Sequence, residues 1–315
     1  MKPVITRRQF LERATAASAL LVAARPAWAA DGMFVSLNGS LTPGVSGADK
    51  ARLAAKLGYG GVDWDFGPAK KAGVEETSAL FKELKIQPTI VSLPVQQPFG
   101  GDAAEFKAKL PQLVEDAAFC SAVGCHRMML VLSPAMPRPK EEQRKLVVER
   151  LAAISEVLQK SNIRLGLEFL GPLYMRTGTG RDGAPRYPFI WTLPETVALG
   201  KEAGPNVGAI LDVWHWYHSG GTVPDILATD KSRIVHLHLS DARERPPEEV
   251  LDNQRLMPGE GIVNLVGFLQ ALKKIGYQDG VSPEPLGRIP KDMAAEEAAR
   301  LGLETTQAVL KKAGI

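Results

Sequence analysis

The sequence predicts an α/β protein built as a single parallel (β/α)8 TIM barrel. Eight short β-rich runs alternate with longer segments of helical period from Met33 onward. No linker or low-complexity segment divides this region, and its length suits one large domain. Four consecutive strands in its second half each end in a polar residue that faces the same side. This is the pattern expected at the carboxyl mouth of such a barrel.

The eight predicted strands are short and rich in apolar residues. In chain order they are MFVSL, GVDWD, QPTIVSL, RMMLVLS, IRLGLEF, VGAILD, RIVHLHL and GVSPE. A helical segment follows each strand, and this alternation predicts parallel strands. Eight such units favour a closed barrel over an open, doubly wound sheet.

The helical segments are identified by their apolar period and by their ends. Residues 140–160 repeat apolar side chains at intervals of four, three and four, which predicts a helix. A second helix is expected at 264–276, with Gly276 as its carboxyl-terminal cap, and the last near 293–312. The longest irregular stretch, GPLYMRTGTGRDGAPRYPFIW, follows the fifth strand. It exceeds an ordinary connection, so we expect it to be functional.

The amino terminus has the features of an export signal. Arg7 and Arg8 precede a short apolar run, and Ala27-Trp28-Ala29 offers a small-residue cleavage site. This order is typical of a twin-arginine signal peptide at residues 1–29, cleaved near Ala29 by the export pathway. We therefore expect a periplasmic protein whose barrel domain is residues 30–315. The apolar run is too short to predict a stable membrane anchor.

The charge and cysteine content exclude some function classes. Residues 1–29 carry five basic side chains and one acidic side chain, which accounts for the chain's formal net charge of +3. The rest of the chain is slightly acidic and gives no basis for nucleic-acid binding. Cys120 and Cys125 are the only cysteines, too few for a disulfide scaffold. The sequence therefore favours a small-molecule partner.

Strand alternation places four polar residues inside the barrel mouth. Glu168 ends the fifth strand and Asp212 the sixth, each facing inward. His238 occupies this position in the seventh strand, where Val235 is expected to face outward, and Glu284 occupies it in the eighth. Three carboxylates and an imidazole in one mouth would repel and desolvate one another without a cation. The pattern therefore indicates a cation site.

The motifs GLEFLG, LDVWHWYHSGG, VHLHLSDA, PGEG and VSPEP occur in this order. With them the chain resembles the sugar phosphate isomerase/epimerase superfamily, the xylose isomerase-like TIM barrels. The resemblance implies a divalent metal ion held by Glu168, Asp212, His238 and Glu284. It also implies that His215 contacts oxygens of a carbohydrate substrate. A donor set of this kind favours Mn²⁺, Mg²⁺ or Co²⁺, with Zn²⁺ possible.

Other positions fit the family pattern less closely. The family often has a glutamate at the end of the second strand, where this chain has Asp63. An arginine often follows the strand-seven histidine, and both Arg243 and Arg245 are candidates. His236 is expected one layer deeper than His238, as a supporting or core residue. Structural positions are expected for His126, His218 and Glu260, whereas Trp214, Trp216 and Tyr217 are expected to line the pocket or pack beneath it.

The chemistry expected of this site is proton transfer. A metal ion polarises a sugar carbonyl and its neighbouring hydroxyl, while Glu168 and Glu284 remove and return a proton through an enediolate. This gives a sugar isomerase or epimerase. If a leaving group lies next to the abstracted proton, the same start gives a dehydratase or lyase acting on a keto-sugar or keto-glycoside. A non-catalytic periplasmic sugar-binding protein is the third hypothesis.

The substrate is expected to be non-phosphorylated. Phosphorylated sugars are mainly cytoplasmic, and the chain has no glycine-rich phosphate loop followed by lysine. Arg176, Arg181 and Arg186 in the long loop could meet an anionic sugar or could simply be solvated. A histidine-rich nuclease of the same superfamily is disfavoured, because the chain has five histidines and none before His126.

Overall fold

The computed structural model describes residues 32–95, 98–179 and 183–315. The predicted signal peptide lies outside the described residues. Eight parallel strands form a closed barrel in which each strand pairs with the next along the chain and β8 pairs with β1. These strands are β1 Phe34–Leu37, β2 Gly61–Asp63, β3 Gln87–Ser92, β4 Arg127–Leu132, β5 Arg164–Phe169, β6 Val207–Asp212, β7 Ile234–Leu239 and β8 Gly280–Pro283. The predicted fold class and all eight strands are confirmed.

Ten α-helices lie among the described residues, and the larger ones surround the barrel. They are α1 Gly47–Leu57, α2 Phe66–Ala72, α3 Val74–Leu84, α4 Ala103–Ala122, α5 Lys140–Lys160, α6 Leu193–Ala203, α7 Val213–His218, α8 Val223–Leu227, α9 Leu265–Ile275 and α10 Ala295–Lys312. Within the part of the chain that the structure describes, no helix has the length and apolar content needed to cross a membrane.

The predicted helices form because their apolar faces meet the barrel and their ends are capped. In α5, Val147, Leu151 and Ile154 are fully buried on one side. In α9, the Asn264 side chain accepts a hydrogen bond from Gly267 N at the start. Gly276 ends the helix at φ 83°, a left-handed conformation that glycine adopts without a steric penalty.

The barrel interior is filled by a small apolar layer beneath the mouth. Ile90, Ile210 and Val235 form this layer and pack against Met129. Gly166 leaves room for it, because a Cβ atom there would lie 2.2 Å from Ile210 Cδ1. The mouth is therefore closed from below by packed side chains, so the polar residues above this layer are reached from one end only.

The predicted outward orientation of Val235 is wrong. The pairing of β7 with β6 shifts register between Ile234 and His236. An irregularity of this kind breaks the alternation of side chains along a strand. Val235 consequently lies in the interior layer, whereas His236 and His238 keep the predicted inward orientation.

The long stretch after β5 contains regular structure. A short 3-10 helix spans Leu173–Met175, and a three-stranded antiparallel sheet joins this segment to the loop after β4. Its strands are Ala135–Met136, Gly178–Thr179 and Pro185–Pro188. Backbone pairing thus ties together two loops that follow neighbouring barrel strands.

Candidate metal centre and active site

The four predicted metal ligands lie together at the carboxyl mouth of the barrel. Glu168, Asp212 and His238 are on β5, β6 and β7, and Glu284 directly follows β8. One ligand atom from each lies within 4.8 Å of those from the other three. Opposite ligands of an ion with bonds of 2.0–2.1 Å are about 4 Å apart. The spacing and the oxygen-rich donor set therefore fit a small divalent cation.

The two carboxylate oxygens of Asp212 accept hydrogen bonds from different groups. Oδ1 accepts hydrogen bonds from the backbone of Trp214 at 2.7 Å and His215 at 3.0 Å, which caps α7. Oδ2 faces the mouth and accepts a hydrogen bond from Arg255 Nη1 at 2.7 Å. The helix cap thus fixes the orientation in which the second oxygen reaches the candidate metal centre.

His238 lies between two glutamates. Its Nδ1 is 2.7 Å from Glu168 Oε1 and 3.4 Å from Glu284 Oε2. Burial alone would lower the pKa of His238, but the carboxylates of Glu284 and Glu168 raise it well above its ordinary value. The raised pKa favours the protonated imidazole, and a proton on Nδ1 lies on the nitrogen that a cation would bind.

Arg255 is the other positive charge in the mouth. Its Nη1 donates to Asp212 at 2.7 Å and to Glu284 Oε2 at 2.9 Å, while Nη2 lies 2.7 Å from Asp252 Oδ1. Its guanidinium also lies over the Trp214 ring, 4.9 Å from the centroid. The fully buried Trp214 therefore supports the arginine from below.

Glu284 remains ionised despite its burial. Burial acts to raise its pKa, but His238 and Arg255 hold it far below the ordinary value. Three carboxylates in the centre, together with the adjoining Asp252, outnumber the two cationic side chains. A divalent ion that replaced the His238 proton would reduce this excess of negative charge.

His215 lies beside the four ligands. Its Nδ1 lies 3.3 Å from the donor Gly171 N, and its Nε2 lies 3.1 Å from the donor Arg255 Nη2. Burial lowers the pKa of His215, which favours the neutral ring. A neutral imidazole has one acceptor nitrogen, so it cannot accept from both donors. Arg255 can only donate, and its contact with Nε2 is the shorter of the two, so it favours the tautomer in which Nε2 accepts and Nδ1 carries the proton.

The arginine that reaches the mouth is Arg255, not Arg243 or Arg245. Both predicted candidates are exposed, and they line a small cavity with Trp214 and His218 whose lining includes none of the four ligands. Arg255 was missed because it lies far along the irregular loop after β7, where strand alternation gives no guide. A usable signal was its position three residues before the Pro258-Gly-Glu-Gly segment.

Asp241 closes the loop that carries Arg255. Its two oxygens accept hydrogen bonds from four backbone N–H groups, those of Ala242, Gly259, Gly261 and Val263. The Asp241 and Leu256 backbones also pair in both directions, each at 2.9 Å. These bonds hold the distant end of the loop against the end of β7, so the backbone that carries Arg255 is fixed beside the mouth.

Asp63 ends β2 on the far side of His238. Asp63, His236 and His238 form a second group whose ligand atoms lie within 4.8 Å of one another. Burial raises the pKa of Asp63, while His238 and hydrogen bonds from Ser282, Ser36 and Asn38 oppose the shift. His236 is buried one layer below His238, as predicted, and its Nε2 lies 2.7 Å from Ser282 Oγ.

The remaining predicted residues lie outside the centre. Arg176 donates to the backbone carbonyls of Gly171 and His218, which ties the loop after β5 to α7. Glu260 pairs with Arg288 at 2.8 Å. Arg181 lies outside the described residues.

The remaining histidines and aromatic residues have packing roles. His218 is packed between Trp214 and Tyr217, and Trp216 packs on Phe268. His126 lies near Asn162 O just before β4.

Comparison with known proteins agrees with this architecture. A family model described as xylose isomerase-like TIM barrel matches residues 51–308. The chain belongs to this family. Inosose isomerases from Bacillus velezensis and Bacillus subtilis are 30% and 29% identical to this xylose isomerase-like chain, each over 173 residues. These matches span 55% of the chain and 58% of each relative, so less than two thirds of either relative is matched.

Solved structures extend the similarity over most of the barrel. A xylose isomerase domain protein from Alicyclobacillus acidocaldarius is 28% identical with a TM-score of 0.80, covering 90% of this chain and all of that one. The IolI protein with a bound zinc atom is 22% identical with a TM-score of 0.71, covering 89% and 98%. An L-ribulose 3-epimerase is 15% identical with a TM-score of 0.68, covering 90% and 96%. The last two establish the shared fold alone.

Proposed function

We propose that this xylose isomerase-like barrel is a divalent-metal-dependent isomerase or epimerase of a non-phosphorylated sugar. The observation that carries the proposal is the convergence of Glu168, Asp212, His238 and Glu284 within 4.8 Å. Their position at the carboxyl mouth, where barrel enzymes have their active sites, supports a catalytic role. The similarity to inosose isomerases supports chemistry on a polyhydroxylated substrate.

The four residues would hold the ion, and the two glutamates would also move the proton. A bound divalent ion polarises a sugar carbonyl and the adjacent hydroxyl, which acidifies the intervening C–H. Glu168 and Glu284 come from strands separated by β6 and β7, so they approach the barrel axis from different directions. One removes the proton and the other returns it, which inverts a carbon or moves the carbonyl.

The surrounding residues would orient the sugar. In our assignment, the imidazole of His215 contacts a sugar oxygen, and Arg255 fixes the carboxylates of Asp212, Glu284 and Asp252 beside it. Val131 on β4 pairs in register with Glu168 on β5 and is 48% exposed. On the strand parity of Met129, which packs in the interior layer, Val131 faces the mouth. It gives an apolar wall for the C–H face of a sugar ring.

A second candidate function is a lyase acting on a keto-glycoside. A groove of about 550 Å³ lies beside the mouth, lined by Tyr174, Leu251, Asp252, Asn253, Leu286 and Gly287. Asp252 binds Arg255, and Leu286 lies two residues after Glu284, so the groove adjoins the centre. A groove that adjoins the centre in this way favours a substrate that extends beyond one sugar ring.

One experiment separates these functions. Free sugars, keto-sugars and keto-glycosides are incubated with protein and Mn²⁺ in D₂O, and the products are identified by NMR. An isomerase or epimerase places deuterium at the carbon beside the carbonyl and conserves the substrate mass apart from that exchange. A lyase releases water or the aglycone instead. Binding without turnover or exchange for every sugar that binds would support a non-catalytic sugar-binding protein.

We also propose that residues 1–29 direct export by the twin-arginine machinery and that the barrel domain, residues 30–315, acts in the periplasm. The support is the order of Arg7-Arg8, a short apolar run and Ala27-Trp28-Ala29. Replacing both arginines with lysine should leave the protein in the cytoplasm, as measured by cell fractionation. Unchanged periplasmic protein in this variant would reject the export assignment.

A further inference from the structure

The imidazole of His238 faces acidic groups on both of its edges. Its Nδ1 edge faces the metal donors, with Glu168 at 2.7 Å. Its Nε2 edge faces Asp63, whose Oδ2 is 4.0 Å away. Among the residues that the structure describes, Nε2 has no hydrogen-bond partner although His238 is 1% exposed. Asp63 is therefore the carboxylate placed to interact with the edge that does not face the candidate ion.

The hydrogen bonds around Asp63 fit an ionised carboxylate. Ser36 Oγ and Ser282 Oγ each lie 2.8 Å from Oδ1, and Asn38 Nδ2 donates to Oδ2 at 3.0 Å. When Ser282 accepts from His236 Nε2, it gives its own proton to Asp63. Three donors, two from β1 and the residue after it and one from β8, thus hold the carboxylate in one orientation.

We infer that Asp63 is a positioning residue that orients His238 for metal binding. Its negative charge favours the tautomer with the proton on Nε2, which leaves the Nδ1 lone pair for the ion. At 4.0 Å the interaction is electrostatic rather than a direct hydrogen bond. This inference rests on the proposed function, because it assigns a partner to one of the proposed metal ligands.

A second metal ion between Asp63, His236 and His238 is the competing interpretation. The contacts of this group favour a positioning role, because the oxygens of Asp63 already have three donors. The Nε2 of His236 is also occupied by Ser282. An ion there would have to displace hydrogen bonds, whereas the orientation of His238 requires none of them to break.

The test compares Co²⁺ binding by metal-free wild-type protein and by Asp63→Asn. Titration calorimetry gives affinity and stoichiometry, and the visible absorption of bound Co²⁺ reports the ligand field without any turnover. Asp63→Asn should bind about 10–100-fold more weakly, the usual cost of losing a partner of a metal-bound histidine. Asp230→Asn is the matched control, because it makes the same change at an exposed carboxylate before the amino end of β7, and it should bind as tightly as wild type.

Asp63→Glu should recover most of the lost affinity, because the longer side chain keeps the charge and can reach Nε2. Equal affinities and spectra for wild type and Asp63→Asn would overturn the inference while leaving the proposed metal centre intact. A stoichiometry that falls from two to one in Asp63→Asn would overturn it in favour of a second ion. Wild-type protein that binds no divalent ion would reject the proposed function together with this inference.

A measurement on wild-type protein covers the case in which Asp63→Asn does not fold. Histidine labelled with ¹⁵N distinguishes protonated, unprotonated and metal-bound ring nitrogens by NMR in the diamagnetic Zn²⁺ form. The expected spectrum of His238 has a metal-bound Nδ1 and a protonated Nε2. A metal-bound or unprotonated Nε2 would overturn the inference.

Discussion

The two ends of the barrel both contain buried charge, but they balance it differently. At the amino end, Arg127 pairs with Asp279, and Arg164 donates to the carbonyls of Ser232 and Ile234 at 2.7 Å each. At the carboxyl end, carboxylates outnumber the cations. At the amino end, backbone carbonyls and Asp279 accept from the two arginines, whereas the mouth keeps an excess of carboxylates that an added cation would reduce.

The contrast is visible within single strands. Strand β5 has the inward Arg164 as its first residue and the inward Glu168 one residue before its end. Strand β4 has Arg127 first and the exposed Val131 one residue before its end. Burial, with the nearby charge of Arg127, lowers the pKa of Arg164 to about 10, so it remains a cation at neutral pH. The charges at the amino end therefore have a structural role, whereas those at the mouth form the candidate metal centre.

The largest expected effect is on catalysis at the mouth. Glu168→Gln and Glu284→Gln should each lower turnover by about 10²–10⁴-fold while the fold is retained, because glutamine keeps the shape but cannot accept a proton at neutral pH. Deuterium incorporation from D₂O measures the step directly. Glu202→Gln, which alters an exposed pair with Arg144, is the matched control. Normal exchange in both mouth variants would remove the acid–base roles.

The next largest effect is on the free energy of unfolding, and it differs between the two ends of the barrel. Arg255→Met leaves Asp212, Glu284 and Asp252 without their cation, so metal-free protein should lose about 3–5 kcal/mol of unfolding free energy. Arg164→Met leaves backbone carbonyls without a donor and should cost about 1–3 kcal/mol.

Mn²⁺ should separate these two variants. It should stabilise Arg255→Met more than wild type, because the ion no longer competes with the guanidinium for Asp212 and Glu284. It should stabilise Arg164→Met by the same amount as wild type. Denaturant unfolding with and without Mn²⁺ measures both increments, and equal increments in all three proteins would contradict the proposed difference between the ends.

A smaller effect is the proton linkage of metal binding. The pKa of His238 is raised in the folded metal-free protein, so the imidazolium stabilises the fold below the unfolded pKa near 6.5. This contribution is lost as pH rises through the folded pKa. Metal binding below the folded pKa should release about one proton, so affinity rises with pH. Calorimetry in buffers of different ionisation enthalpy counts the protons, and no release at pH 6 would contradict the assignment of Nδ1 as a ligand.

The smallest effect is expected at the two exposed arginines of the loop after β7. Arg243→Ala and Arg245→Ala should each change unfolding free energy by about 0.5 kcal/mol or less, as is usual for exposed positions. Their turnover should remain close to that of wild type, because the structure places Arg255 in the mouth instead. A large rise in KM in either variant, measured by steady-state kinetics, would show that this loop rearranges around the substrate.

The sequence predicts the barrel well because its signals are local. The apolar period of α5 and the Gly276 cap of α9 are set within a few residues, and alternation in β5 and β6 orients Glu168 and Asp212 correctly. The inward orientation of Val235 could not be predicted from local alternation, because the register shift beside it depends on the pairing with β6.

The centre itself is only partly predictable. Its four strand-end residues follow from alternation, but Arg255 reaches them through a loop whose path depends on Asp241 and on backbone pairing at Leu256. The position of Asp63 opposite His238 likewise depends on how β2 and β7 face each other across the barrel. Neither relation is encoded in the spacing along the chain.

Metal content is the most direct test of the central claim that the mouth is a cation site. Purified wild-type protein, loaded with Mn²⁺ and dialysed, should retain about one ion per chain by elemental analysis. Asp212→Ala and His238→Ala should lose it, whereas Asp230→Ala, a change at an exposed carboxylate, should not. Full retention in both ligand variants, or no retained ion in wild type, would contradict the account.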